Sequence, residues 1–112
     1  LLIGVDDSGS IVGLENDYKS LPKSNADGFH NHFTNLFHIM IGPEFRRFVE
    51  LTFHKNKNKE YCLIHVASGD KPAYLKFDEQ EEFYIRTGNG TTALKLSEAS
   101  SYIDSHWKNR LL

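Results

Sequence analysis

The sequence predicts an α+β domain in which two helices pack on one face of a mixed or antiparallel sheet. Three observations predict it. Residues 29–41 place apolar side chains at helical spacing, residues 48–86 hold short runs alternating between apolar and polar, and residues 97–111 return to helical spacing. Antiparallel runs grouped together, with helices at either side, favour a layered α+β arrangement over βαβ units.

The first element is the apolar run LLIGV, residues 1–5, read as a buried strand that stops at Asp6, Asp7, Ser8 and Gly9. Residues 11–13 offer a second short strand, with Asp7-Ser8-Gly9 as the hairpin chemistry between the two. Residues 18–28 read as loop, broken by Pro22. In the first helix Phe29, Phe33, Leu36, Phe37, Met40 and Ile41 fall on one face. Asn25 or Asp27 can cap its start, and Gly42-Pro43 ends it. In FVELTFH, Val49, Leu51 and Phe53 alternate with Glu50, Thr52 and His54, so one face is buried and one wet. KNKNKE is the turn, and YCLIHVA returns with Cys62, Ile64 and Val66 on one side. AYLKF and EFYIR form a second hairpin across Asp78-Glu79-Gln80. The last helix starts near Ser97, a good cap, with Glu98 placed for the helix dipole and a stripe of Ala99, Tyr102, Ile103, Trp107 and Leu111. The expected order is β-β-α-β-β-β-β-α.

The bulk numbers restrict the function. A chain of 112 residues is one domain's worth and buries roughly 65% of its unfolded surface, enough to fold without staples. Net charge is −2, whereas dedicated nucleic-acid binders are usually basic, so any anion site must be a local patch. The single cysteine, Cys62, excludes an intrachain disulfide, fits a reducing cytoplasm and reads as a small core hydrophobe. No apolar run approaches the ~18 residues of a membrane span. The chain opens on a strand without a methionine, which reads as an N-terminally truncated piece of a longer protein.

Several residues are candidates for chemistry. Six histidines are many, and His30, His32 and His38 share a helix, but no pair has the i, i+4 spacing of a zinc-binding helix. They read as polar-face residues, and no metal or other cofactor is expected. Asp6 and Asp7 follow a buried strand, where a sheet can hold catalytic carboxylates rigidly; the competing reading is turn chemistry. Lys55, Lys57 and Lys59 alternate along a hairpin tip, so extended backbone points three ammonium groups one way, as a phosphate-contacting row or as a solvated turn.

In the second hairpin, placing Leu75, Phe77, Phe83 and Ile85 in the core leaves Tyr74, Lys76, Tyr84 and Arg86 outward together. Two aromatics and two cations suit base stacking and phosphate pairing, and equally an oligomer interface. Arg86 then leads into Thr87-Gly88-Asn89-Gly90-Thr91-Thr92, read as a strand–turn–helix joint. Its glycines free backbone N–H groups, and Asn89, Thr91 and Thr92 add polar donors. This is a candidate anion site or a plain chain reversal.

LLIGVDDSGSIVGLEND and FYIRTGNGTTALKLSEASSYI together resemble the Schlafen AlbA-type domain, over residues 1 to about 107. The resemblance implies a small Alba-like α+β fold and nucleic-acid binding, DNA or RNA, within bacterial transcriptional-regulator-like proteins. It implies a basic hairpin arm, here the lysine tip, and a homodimer. Some Schlafen proteins cleave structured RNA with clustered acidic residues and a divalent metal. By that likeness one aspartate falls at Asp6 or Asp7, and two glutamates belong to a segment upstream of Leu1, so these residues alone are not expected to cleave. Three functions therefore stand: a nucleic-acid-binding module, an incomplete half of a metal-dependent RNA endonuclease, or a non-catalytic dimerisation domain.

Overall fold

The structure, a computed structural model, describes residues 1–107. The fold is α+β, but its strands form two three-stranded antiparallel sheets instead of one. Leu111, expected on the last helical stripe, lies outside the described residues.

The first unit opens with β1 (Leu2–Ile3). No second strand forms at residues 11–13; only an isolated bridge joins Val5 to Ile11. The reason is local. Gly4, Gly9 and Gly13 all take positive φ, between 86° and 91°, which curls the backbone out of strand geometry. Val12 and Gly13 both donate to the Gly4 carbonyl, at 2.8 and 3.0 Å. The curl delivers Leu14 into the core, fully buried, and Gly4 is needed beneath it: a Cβ there would stand 3.2 Å from the Leu14 side chain. The expected loop at 18–28 also begins differently. A short helix, α1 (Glu15–Lys19), buries Tyr18. Burial, and then the Glu60 carboxylate, push the Tyr18 phenol up to about 12.

The long helix α2 (Ala26–Met40) turns Phe29, Phe33 and Phe37 into the core as expected, whereas Leu36, expected on the same face, is exposed. Asn25 is its cap, accepting from the Gly28 amide at 2.9 Å. Phe29 meets Tyr18 and Phe53 edge-on, with ring centroids 6.3 and 5.9 Å apart. Gly42 breaks the helix, and a 3₁₀ helix (Pro43–Phe48) leads to β2 (Val49–Asn56) and β3 (Lys59–Val66). These two strands pair with Leu51 opposite Ile64 and Phe53 opposite Cys62. Cys62 is fully buried, as a small apolar core residue, and β1 adds to the far side of β3.

The second unit contains β4 (Leu75–Phe77), β5 (Gln80–Thr87), β6 (Gly90–Leu94) and α3 (Leu96–Trp107). β6 is a strand absent from the expected order. Phe83 and Ala99 are buried, and Phe83 packs against Tyr102 and Trp107 of α3 at 5.7 and 6.3 Å between centroids. Glu98 closes the helix start by accepting from the Lys95 amide at 3.0 Å, so the first turn lies just before Ser97. Each sheet thus carries its own helix, α2 on the first and α3 on the second. The radius of gyration is 16.6 Å, against about 13 Å for a compact domain of this length.

Two stability differences follow. Leu14→Ala empties a closed part of the first core and should cost about 3 kcal/mol in urea unfolding. Leu96→Ala, at a residue 90% exposed, should change stability by less than about 0.5 kcal/mol. Similar losses for the two would contradict the core described above.

Candidate nucleic-acid interface

The lysine hairpin is closed by two residues, Lys57 and Asn58, with φ of 51° and 66°. Positive φ at both central positions matches the twist of the flanking strands. The strands therefore run to Asn56 and from Lys59, much nearer the tip than KNKNKE suggested. The pairing puts Lys55 opposite Glu60 and Asn56 opposite Lys59. Cross-strand partners share a face, so Lys55 and Lys59 project from opposite faces and Lys57 stands between them at the tip. The expected one-sided row is thus a cluster surrounding the tip, because the turn interrupts the extended alternation. All three lysines are exposed, and among the described residues none has a hydrogen bond or ion pair through its side chain. On the face of Lys59, His54 and Tyr61 stack with centroids 5.3 Å apart at 25°. The polar alternation of β2 and β3 is the signal that could have identified this pair.

The Gly-Asn-Gly stretch is a hairpin between β5 and β6, not a strand–turn–helix joint. Gly88, at φ 61°, takes the first central position of a two-residue turn and Asn89 the second. Pairing continues through Arg86–Thr91, Ile85–Thr92 and Tyr84–Ala93. Tyr84, Arg86 and Thr91 share one face. Thr92 lies on the other, its hydroxyl 2.7 Å from that of Thr87. Arg86 is exposed; its Nε donates to the Gly88 carbonyl at 3.0 Å, and no carboxylate pairs with it among the described residues. Asn89 is exposed at the tip.

The β4–β5 register also departs from expectation. Asp78 and Glu79 alone make the turn, so Phe77 faces Gln80 and Leu75 faces Glu82. That shift by one residue puts Leu75 and Phe77 on the face of Tyr84 and Arg86, and moves Lys76 to the opposite one. Lys76 Nζ instead reaches the Ile41 carbonyl at the end of α2, 3.5 Å away. Tyr74 packs on Phe83, with centroids 5.7 Å apart. The Tyr84 hydroxyl donates to Glu82, and that bond raises the phenol's pKa. Glu82 thus places a negative charge at Tyr84, on the face that also carries Arg86.

Asp6 serves its turn. Its Oδ1 accepts from the Ser8 hydroxyl at 2.8 Å, the Ser8 amide at 3.1 Å and the Ser10 amide at 2.8 Å. Ser8 above all, then Ser10, lowers its pKa. Asp7 is exposed beside it. Among the described residues no three His, Cys, Asp or Glu side chains converge to hold a metal ion.

The Schlafen, AlbA_2 family model matches residues 1–95. The chain belongs to the Schlafen AlbA_2 family. Neither a curated protein nor a solved structure matches it. The AlbA_2 match spans all six strands and both hairpins that carry candidate binding residues, and it ends where α3 begins.

Two outcomes test this geometry. In an NMR titration Asp6 should protonate below 3.8, its ordinary value, and Ser8→Ala should bring it back toward that value. A depressed folded pKa means the bonds to Asp6 contribute fully above the ordinary value and are lost as pH falls through the lowered one. An unchanged Asp6 in Ser8→Ala would contradict the assigned cause. Glu82→Gln should strengthen binding of a short nucleic acid about twofold at low salt by removing a negative charge from the face that carries Arg86; weaker binding would argue that Glu82 itself positions the ligand.

Proposed function

We propose that this AlbA_2 domain binds nucleic acid, DNA or RNA, as a module of a bacterial regulator-like protein in the cytoplasm. Lys55, Lys57 and Lys59 contact phosphates from the first hairpin, and Arg86 with Thr91 and Asn89 from the β5–β6 hairpin. Lys76, Tyr84 and Thr92, which the sequence grouped with them, contribute less directly. Lys76 holds a carbonyl of α2, Tyr84 holds Glu82, and Thr92 faces away from Arg86.

Membership of the family supports this reading. The observation that carries it is that four exposed cations at two hairpins lack carboxylate partners among the described residues, although acidic residues outnumber basic ones 15 to 13 in the whole chain. Pairing of two copies would join weak sites and raise avidity without new contacts. The nuclease reading gains no comparable support: Asp6 Oδ1 is engaged in the turn, and among the described residues no acidic cluster forms a metal site.

Fluorescence anisotropy across a salt series tests the proposal. Binding of duplex DNA should weaken steeply with salt. Replacing all three lysines by glutamine should reduce the magnitude of the log–log slope by up to about 2.7, at roughly 0.9 per phosphate. Arg86→Ala should lower affinity about fivefold without unfolding the chain. Absence of binding to any strand at about 50 mM salt would remove the proposal.

A further inference from the structure

Between the two units lies a cleft of about 540 Å³, within the roughly 300–1,000 Å³ usual for ligand sites. The first unit contributes Phe45 and Phe48, and the second contributes Phe83, Tyr102 and Trp107. Two features describe what would fit. The walls are aromatic and set at varied angles: Tyr102 and Trp107 meet at 71° with centroids 6.2 Å apart, and Phe83 and Trp107 at 75°. The charged lining residues are Lys71 and Arg86, with no Asp or Glu among the lining residues. Lys71 is poised with Nζ 5.3 Å from the Phe45 ring centre.

An aromatic body with an attached anion describes a nucleotide. A duplex hides base faces and edges in its stack, whereas a single strand can turn a base outward onto aromatic side chains. We infer that this cleft receives one unstacked nucleotide of a bound single strand, with its base against Tyr102 and Trp107 and its phosphate at Arg86 and Lys71. The inference rests on the nucleic-acid-binding reading above and assigns Arg86 a place at the mouth of this site.

Trp107 is the chain's single tryptophan, so its emission reports on the cleft directly. Single-stranded RNA and DNA of about ten nucleotides, within the span of known strand-binding sites, would be titrated beside a duplex of the same sequence and a free mononucleotide. Anisotropy of labelled strands would be read in parallel. The single strands should quench Trp107 as they bind, and the duplex should not. Ala73→Phe, a substitution at an exposed lining residue outside the helices and strands, should obstruct the cleft. It should weaken single-strand binding roughly tenfold, as expected for loss of one stacked base, while leaving duplex binding unchanged.

Strand binding with Trp107 emission unmoved and Ala73→Phe without effect overturns the cleft assignment but leaves the general proposal intact. No strand bound by either readout overturns both. Quenching by the mononucleotide with no strand bound makes the ligand a free nucleotide and overturns the strand assignment.

Discussion

The hairpins of this molecule depend on turns of two residues. Lys57-Asn58, Asp78-Glu79 and Gly88-Asn89 each join strands directly, and five of these six residues are the molecule's sharpest backbone statements after the early glycines, with φ between 51° and 66°. A two-residue turn leaves no slack in the pairing, and a slip by one residue would exchange the faces of a strand. In the first sheet that register places Leu51, Phe53, Cys62 and Ile64 together under α2. In the second it places Phe83 under α3. Asp78 and Glu79 reach the same geometry without glycine, so that turn holds conformations which L-residues enter at a cost of about 1 kcal/mol each.

The same register distributes charge. Lysines near a hairpin tip are ordinary surface chemistry, but here the turn separates Lys55 and Lys59 to opposite faces and raises Lys57 between them. The tip is therefore cationic from several directions. The β5–β6 hairpin presents a single guanidinium with a nearby threonine. Some other cations are occupied: Lys23 pairs with Asp27, Arg47 with Asp70, and Arg46 binds Thr34 and the Val49 carbonyl. A faintly acidic body with unpaired cations at its hairpins attracts polyanions locally while resisting indiscriminate adsorption.

Division into two sheets is what creates the cleft. A single continuous sheet with both helices on one face would have joined the two apolar surfaces and closed the space between them. Separate sheets instead meet across residues 67–74, and leave the aromatic groups of α3 and β5 turned toward the 3₁₀ helix of the first unit. Lys76 links the units through the Ile41 carbonyl at the end of α2.

Periodicity made much of this legible. The face of α2, the alternation of β2 and β3, the apolar role of Cys62 and the α3 stripe through Trp107 all follow from local spacing, because burying one face of a helix or strand imposes its period on the chain. The paired motifs around GVDD and FYIRTGNG were enough to point to the family. Other features needed tertiary structure. β6 is short and rich in threonine, so no apolar alternation marks it; pairing with β5 alone makes it a strand. Leu75 and Phe77 read as inward because they are apolar, yet the Asp78-Glu79 turn aligns them with Glu82 and Gln80. Asp6 looks the same in sequence whether it serves catalysis or a turn, and only the folded chain shows its Oδ1 bound to Ser8 and Ser10. Spacing along one chain determines which residues share a face of their own element. Which faces meet, and which charges remain unpaired after they meet, depends on partners distant in sequence, and only the folded arrangement supplies them.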